Sequence, residues 1–157
     1  MEGRIYTFVS LIGRISISED GHGRVDGVYL PTSNLPYLKE GCTAVLKETE
    51  EQINEYLSGD RRVFTVPVST EGVSDFTLDV LEAIQDIDYG ETRTYKEIAE
   101  DIGRPTAYRA VGSACGRNPL PIIIPCHRVV PSSGGIGSYT GGSALKRRLL
   151  SHEKQML

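Results

Sequence analysis

The segment STEGVS, residues 69–74, separates two parts of the chain that differ in hydrophobic periodicity. Before it, the runs IYTFV, RISIS and VDGVYL predict three short strands, with EDGHGR as a turn, and VFTVPV predicts a further strand. Residues 46–57 predict one helix, because Ile53, Tyr56 and Leu57 recur at helical spacing. After the segment the period becomes helical. The sequence therefore predicts an α+β fold, with an N-terminal supporting domain over residues 1–72 and a mostly helical C-terminal domain over residues 73–157.

The charge of the chain is unevenly distributed. Residues 1–90 contain 7 basic and 16 acidic side chains, whereas residues 91–157 contain 10 basic and 5 acidic ones. A basic C-terminal part in a chain of net charge −4 indicates a polyanionic partner. The alternative is a solvated basic face with no partner.

Composition excludes several other classes of protein. No apolar run approaches the roughly 18 residues of a membrane span, and the start MEGRIYTF lacks the order of a secretory signal. Three cysteines at irregular spacing do not suggest a disulfide framework. The sequence also lacks the C-x-x-C pair that would indicate a zinc site. We expect a cytoplasmic protein with free thiols and without a metal.

Two helices joined by a tight turn are predicted in the basic part. Thr94–Glu97 has the form of a capping box, Gly103 suits a helix end, and Arg104-Pro105 opens a second helix. A preceding amphipathic helix that ends near Tyr89-Gly90 is marked by Phe76, Val80, Leu81, Ile84 and Ile87. The buried side of the pair is predicted to contain Ile98, Ala99, Ile102, Ala107, Ala110, Val111 and Ala114. Such a pair is typical of a helix-turn-helix, and a simple αα-hairpin is the alternative.

The opposite face of the second predicted helix has almost no side-chain bulk. It contains Arg109, Gly112, Ser113 and Gly116. Small residues let a helix backbone come close to a partner, and the arginine would project from that surface. Together with the basic charge, this face favours DNA binding.

A reactive cysteine is predicted in NPLPIIIPCHRVV, which resembles a short buried strand with Cys126 at its exit. A buried cysteine is usually inert packing, but His127 and Arg128 supply the base and positive charge that a thiolate needs. On an extended segment His127 would point away from Cys126, so we expect a bridging water. Glu153, just beyond the helix carrying Leu145 and Leu149, is the expected acceptor that orients the histidine.

A glycine-rich loop, PSSGGIGSYTGG, lies between these two segments. It lacks the order of a phosphate-binding P-loop. We expect it to fold over Cys126 with Tyr139 and Thr140 as a wall, although an ordinary mobile loop fits the same glycines.

These residues closely resemble the O6-alkylguanine-DNA alkyltransferase family over roughly residues 75–155. The resemblance is carried by RAVG at 109–112, Asn118-Pro119, PCHRVV at 125–130, Gly137, Tyr139, Gly141-Gly142, Lys146, Leu149-Leu150 and Glu153. It implies a ribonuclease-H-like N-terminal sheet and a helix-turn-helix C-terminal domain. It also implies a monomer, without cofactor or metal, that flips a nucleotide out of double-stranded DNA. The alkyl group of O6-alkylguanine, and of O4-alkylthymine, would then move once to the protein's own cysteine.

The resemblance implies a role for each matching residue. Cys126 is the expected alkyl acceptor, His127 its water-linked base, and Glu153 the carboxylate that orients this base. Tyr95 is the expected proton donor to the leaving guanine. Asn118 is the expected hinge that joins the second helix to the cysteine segment and completes the hydrogen-bonded network. Arg109 is the expected finger that fills the gap in the base stack. Further expected DNA contacts are Thr94, Tyr95, Ala110, Gly112, Ser113, Cys115 and Arg117. The expected walls of the base pocket are Pro121, Val129, Tyr139 and Thr140.

The chain departs from the family pattern at three places. Thr77 and Leu81 stand where many members carry Gln and Trp, Cys115 stands where methionine or another apolar residue is common, and the N-terminal zinc ligands of some relatives have no counterpart. A non-catalytic lesion-binding module and a cysteine hydrolase using Cys126, His127 and Glu153 are the rival functions.

Overall fold

The computed structural model describes residues 2–157 and shows a mixed α+β chain, as predicted. The chain divides into two compact units, one ending at Glu71 and the other beginning at Gly72. Within the described residues there are five α-helices, one four-stranded sheet and one two-stranded sheet. None of the described helices is long and apolar enough to cross a membrane.

The first unit is a sheet covered by one helix. Strands β1 (Arg4–Ser10), β2 (Gly13–Glu19) and β3 (Val25–Tyr29) are antiparallel neighbours, and β4 (Lys39–Glu40) pairs with β1 in parallel. Helix α1 (Ala44–Ser58) packs on these strands. The fully buried side chains of this core include Ile15, Ile17, Val25, Leu46, Ile53 and Tyr56. The three predicted strands and the helix are confirmed.

The strand predicted from VFTVPV is wrong. Residues 63–68 are irregular and meet the sheet through a bridge between Val25 and Val68. The side chain of Gln52 binds Thr65 twice, accepting from its amide at 2.9 Å and donating to its hydroxyl at 2.7 Å. Pro67 has no amide hydrogen to give to a ladder. A side chain from α1 therefore takes hydrogen bonds that a neighbouring strand would otherwise make.

The second unit is mostly helical. It contains α2 (Asp75–Gln85), α3 (Tyr95–Asp101), α4 (Tyr108–Gly116) and α5 (Ser143–Gln155), with α4 packed against α2 and α3. Strand β5 (Arg93–Thr94) pairs in parallel with β6 (Val129–Val130). A 3-10 turn, Cys126–Arg128, precedes β6. The core includes Val80, Leu81, Ile84, Ile98, Val111, Ala114 and Leu149.

Two helix boundaries differ from prediction. Helix α2 ends at Gln85 rather than near Tyr89, and the carbonyl of Ile87 beyond its end accepts from Arg128 at 2.8 Å. Helix α4 begins at Tyr108, because residues 104–107 form a turn closed by an amide–carbonyl bond of 2.9 Å. Of the residues predicted to be buried, Ala110 is exposed, and Ile102 and Ala107 are only partly buried. The predicted capping box at the start of α3 is confirmed.

The strand predicted from PIII is also wrong. Residues 120–124 turn back, with the Ile124 amide bonded to the Leu120 carbonyl at 2.8 Å. Ile122 has φ 75°, a left-handed conformation that is costly for a β-branched residue. Cys126 therefore begins a 3-10 turn instead of leaving a strand, and Glu153 lies within α5 rather than beyond it.

Candidate active site

Cys126 lines a cavity of about 230 Å³ in the second unit. The other lining residues are Gly112, Cys115, Gly116, Ser138, Tyr139 and Thr140. One wall thus comes from the C-terminal half of α4 and the facing wall from the glycine-rich loop, as expected for Tyr139 and Thr140. The cysteine is free and only 3 % exposed, so its sulfur faces this space rather than bulk solvent.

His127 is fully buried beside Cys126 in the chain. Its Nε2 lies 2.7 Å from Oε2 of Glu153, so the structure brings the predicted base and carboxylate together. Because Cys126–Arg128 is a 3-10 turn, successive side chains do not alternate as they would on a strand. The side chain of His127 is therefore not required to point away from Cys126, as it would be on the predicted strand.

Glu153 is the centre of a buried ionic network. Arg128 donates from Nε to Oε1 at 2.9 Å and from Nη2 to Oε2 at 3.1 Å. The amide of Gly90 donates to Oε1 at 2.9 Å. A bidentate guanidinium fixes the plane of a carboxylate, and Arg128 is itself held by the Ile87 carbonyl. The carboxylate that contacts His127 is thus fixed from two sides.

The protonation states follow from burial and these partners. Burial lowers the pKa of His127, opposed by the hydrogen bond and charge of Glu153. The imidazole is therefore neutral at pH 7 and able to accept a proton. Burial raises the pKa of the Cys126 thiol, while the Asn118 side chain and the Lys146 charge lower it. The resting group is a thiol that needs a base to become a nucleophile.

Asn118 ties together the turn that precedes the cysteine. Its Nδ2 donates to the Ile124 carbonyl at 2.9 Å, and its Oδ1 accepts from the Leu120 amide at 2.9 Å. The side chain also reaches the Cys126 thiol, whose pKa it lowers. This placement fits the hinge predicted for Asn118.

Tyr95 and Tyr139 provide two partly buried phenols. Burial raises the pKa of Tyr95 to about 12, so its hydroxyl stays protonated and can donate. A side chain at Gly137 would come within 3.2 Å of the Tyr95 hydroxyl, which shows how closely the loop passes. The Tyr139 ring meets the His127 ring edge-on, with 6.4 Å between centroids.

The face of α4 predicted to contact DNA is open. A second cavity of about 670 Å³ is lined by Arg109, Gly112, Ser113 and Gly116 from α4, and by Tyr95, Lys96, Tyr108 and loop residues 131–133, 137 and 138. Arg109, Ala110, Ser113 and Arg117 are exposed. The second cavity shares Gly112, Gly116 and Ser138 with the first, so the exposed helix face leads to Cys126.

Five predicted site residues have additional or different surroundings. The Thr94 hydroxyl caps α3 by accepting from the Glu97 amide at 3.1 Å, and Cys115 is 8 % exposed and lines the cysteine cavity. Pro121 and Val129 are buried and are not among the residues lining either cavity. Arg117 also reaches back to the Thr77 hydroxyl at 3.4 Å.

Comparison with known proteins agrees with this geometry. Residues 75–155 match the sequence profile of the 6-O-methylguanine DNA methyltransferase, DNA binding domain. The chain belongs to this family. A methylated-DNA–protein-cysteine methyltransferase of Methanosarcina barkeri is 49 % identical over 111 residues, which are 71 % of this chain and 70 % of that protein. The inducible Bacillus subtilis enzyme of the same name is 47 % identical over 66 % of this chain and 58 % of its own length.

Solved structures extend the similarity to almost the whole chain. The Mycobacterium tuberculosis O6-methylguanine methyltransferase superposes with a TM-score of 0.88 at 36 % identity, covering 99 % of this chain and 94 % of that one. The M. tuberculosis protein crystallised with DNA gives 0.88 at 38 % identity, covering 98 % and 94 %.

Sequence reasoning missed one residue of this family member's site and understated another. Lys146 is 1 % exposed, and its Nζ donates to the carbonyls of Val129 at 2.7 Å and Ser138 at 3.2 Å. It thereby joins the segment after the cysteine to the loop that covers it. The signal was available in the sequence, because Lys146, Leu149 and Glu153 recur at the spacing of one buried helix face. Arg128 was noted only as a positive charge and in fact orients Glu153.

Proposed function

We propose that this protein is a single-turnover methylated-DNA–protein-cysteine methyltransferase that transfers the alkyl group from O6 of guanine in DNA to Sγ of its own Cys126. The observation that carries the proposal is a cysteine at a cavity, next to a neutral buried imidazole that Glu153 holds at 2.7 Å. The names of the relatives in M. barkeri and B. subtilis support the same activity.

The proposed chemistry is a displacement at saturated carbon. His127 takes the proton of the Cys126 thiol, and the sulfur attacks the alkyl carbon while the bond from that carbon to O6 breaks. The electron pair of the broken bond stays on guanine. Tyr95 donates a proton to the leaving guanine and so offsets its developing negative charge. Glu153 stabilises the imidazolium that forms at His127. The thioether on Cys126 has no easy leaving group, so each molecule acts once.

Access to O6 requires that the nucleotide leave the duplex. An alkylated O6 lies within the base stack, and enzymes that act on such atoms rotate the nucleotide into a pocket. The exposed face of α4 has small residues at Gly112 and Gly116, so a DNA backbone can approach it closely. Arg109, exposed on the same face, is the proposed side chain that enters the gap in the stack. We infer that α3 and α4 act as a helix-turn-helix whose second helix lies against the groove. O4-alkylthymine is a second expected substrate of the same pocket.

The two units have separate proposed roles. The second unit holds Cys126, His127, Glu153 and Arg109 and is the proposed DNA-binding and catalytic domain, which fits action as a monomer. The first unit is the proposed supporting domain. We interpret its sheet as a small version of the ribonuclease-H-like sheet. The strand order β3-β2-β1-β4, with β4 parallel to β1, supports this interpretation.

The test is the stoichiometry of transfer. A duplex bearing labelled O6-methylguanine should pass its label to the protein in a ratio near one. Cys126→Ser should abolish transfer while duplex affinity is largely retained, and the matched Cys42→Ser, at an exposed thiol, should transfer normally. Binding without transfer by the unaltered protein would favour a lesion-binding module instead. Cleavage of an acyl substrate would favour a cysteine hydrolase, a function that also needs an oxyanion site.

A further inference from the structure

Two of the three thiols of this protein lie in one cavity. Cys115, in the last turn of α4, and Cys126, at the start of the 3-10 turn, both line the 230 Å³ space. They are 8 % and 3 % exposed, and both are free. The alkyl-transfer chemistry proposed above uses only one of them.

The backbone brings the two cysteine segments side by side. The Cys115 carbonyl accepts from the Asn118 amide at 3.3 Å. The Asn118 side chain donates to the Ile124 carbonyl at 2.9 Å, and that carbonyl also accepts from the Cys126 amide at 2.8 Å. A single asparagine thus connects the peptide of one cysteine to the peptide of the other, and the intervening turn closes on itself.

The two sulfurs also influence each other electrostatically. Burial, and then the charge of a Cys126 thiolate, raises the pKa of Cys115 to about 12. The Lys146 ammonium lowers the pKa of both thiols. Cys126 has in addition the hydrogen bond from Asn118. Cys126 is followed directly by His127, the proposed base, so Cys126 is the thiol expected to react with an oxidant first, with Cys115 as the second sulfur.

We propose that hydrogen peroxide converts Cys115 and Cys126 into an intramolecular disulfide, a reversible form of the protein that cannot accept an alkyl group. The Cys126 sulfur first attacks peroxide, the O–O bond breaks, and sulfenic acid and one water result. The Cys115 sulfur then attacks the Cys126 sulfur, and the S–O bond breaks. The hydroxide that leaves takes the Cys115 proton as a second water. Only the loss of transfer depends on the proposed function; the disulfide itself does not.

The second thiol changes the fate of the oxidised protein. A sulfenic acid without a partner can be oxidised further to sulfinic acid, which ordinary thiols do not reduce. Formation of a disulfide prevents this further oxidation, and exchange with a small thiol returns the disulfide to two thiols. Cys115 would therefore preserve an acceptor that each molecule can use only once.

Tryptic mapping tests the linkage directly. Cleavage after Arg109, Arg117 and Arg128 places Cys115 in the peptide 110–117 and Cys126 in the peptide 118–128. After treatment of the folded full-length protein with dilute hydrogen peroxide, non-reducing mass spectrometry should show these two peptides joined, with the loss of two hydrogens. Cys42→Ser should give the same linked pair. Sulfinic Cys126 with no linked pair, or a pair that includes Cys42, would overturn the proposal.

Activity gives a second readout. Each variant is compared with its own untreated transfer, so a change in basal rate in Cys115→Ala does not matter. The unaltered protein should lose transfer with peroxide and regain most of it with dithiothreitol, whereas Cys115→Ala should regain little. Equal recovery in both would overturn the proposal. If even untreated protein fails to transfer label, the proposed function fails, while the peptide map still decides whether the disulfide forms.

Discussion

The two units of this protein bury polar groups in different ways. In the first unit, buried polar side chains such as Gln52 and Glu19 are held by Thr65 and by the Gly21 amide. In the second unit, four ionisable groups that include both signs of charge are buried together around the cysteine: His127, Arg128, Lys146 and Glu153. Removing charges from water is costly and rarely increases stability. Such a cluster marks the place where the fold accommodates chemistry rather than packing.

The largest expected difference between the units concerns their buried glutamates. Glu153→Gln leaves the Arg128 guanidinium buried without its carboxylate, which should lower the free energy of unfolding by about 3–5 kcal/mol. The matched change Glu19→Gln affects a hydrogen bond from the Gly21 amide and should cost about 1 kcal/mol. Urea unfolding of the full chain measures both. Equal losses would mean that the ionic network is no more sensitive to a missing charge than the first unit.

The two units can also be compared by replacing one exposed arginine in each. Arg109→Ala should slow repair of duplex DNA about tenfold, equivalent to about 1.4 kcal/mol, because the gap left by the flipped nucleotide is no longer filled. Reaction with the free alkylguanine base needs no flipping and should change little. Arg14→Ala, which removes an exposed arginine from β2 of the first unit, should leave both rates unchanged. If Arg109→Ala slowed both substrates equally, its role as a finger would be refuted.

A smaller difference should appear in the dependence of stability on pH. Burial holds the pKa of His127 below its ordinary value of 6.5, so the unfolded chain takes up a proton before the folded one does. Stability should therefore fall as pH drops from 6.5 towards the folded-state pKa, by up to about 1.4 kcal/mol for each pH unit. His127→Gln should remove this slope, whereas His22→Gln, at an exposed site in the first unit, should retain it. Urea titrations between pH 7 and pH 5 measure the slopes.

Local signals in the sequence predicted local structure well in both units. The alternating runs gave β1, β2 and β3, and Thr94 with Glu97 gave the capping box, because each depends on residues a few positions apart. The strands predicted from VFTVPV and PIII failed for a shared reason. In each case an amide side chain, Gln52 or Asn118, binds backbone groups that a ladder would have used.

The candidate site was predictable as a motif but not as a network. Cys126, His127 and Glu153 were inferred from residue type and family resemblance, and the structure brings the last two into contact. The hydrogen bonds of Arg128 span 25 residues to Glu153 and 41 to Ile87, and that of Lys146 spans 17 to Val129. Partners this distant leave no local pattern. Helical spacing places Lys146 and Glu153 on one face of α5, but the residues to which they bind had to be seen in the fold.

The smallest expected difference compares two threonines at helix starts. The Thr94 hydroxyl accepts from the Glu97 amide, and the Glu97 carboxylate accepts from the Thr94 amide, whereas the Thr43 side chain at the start of α1 makes no cap hydrogen bond. Thr94→Ala should therefore lower the free energy of unfolding by about 1 kcal/mol, and Thr43→Ala should change it by only a few tenths. Thr94→Ser, which keeps the hydroxyl, should restore most of the loss.

Thr94 was also expected to contact DNA, so affinity for undamaged duplex must be measured beside stability. If Thr94→Ala lost affinity for DNA with unchanged stability, its hydroxyl would be shown to contact DNA rather than to cap the helix. Loss of a cap hydrogen bond would instead lower the free energy of unfolding.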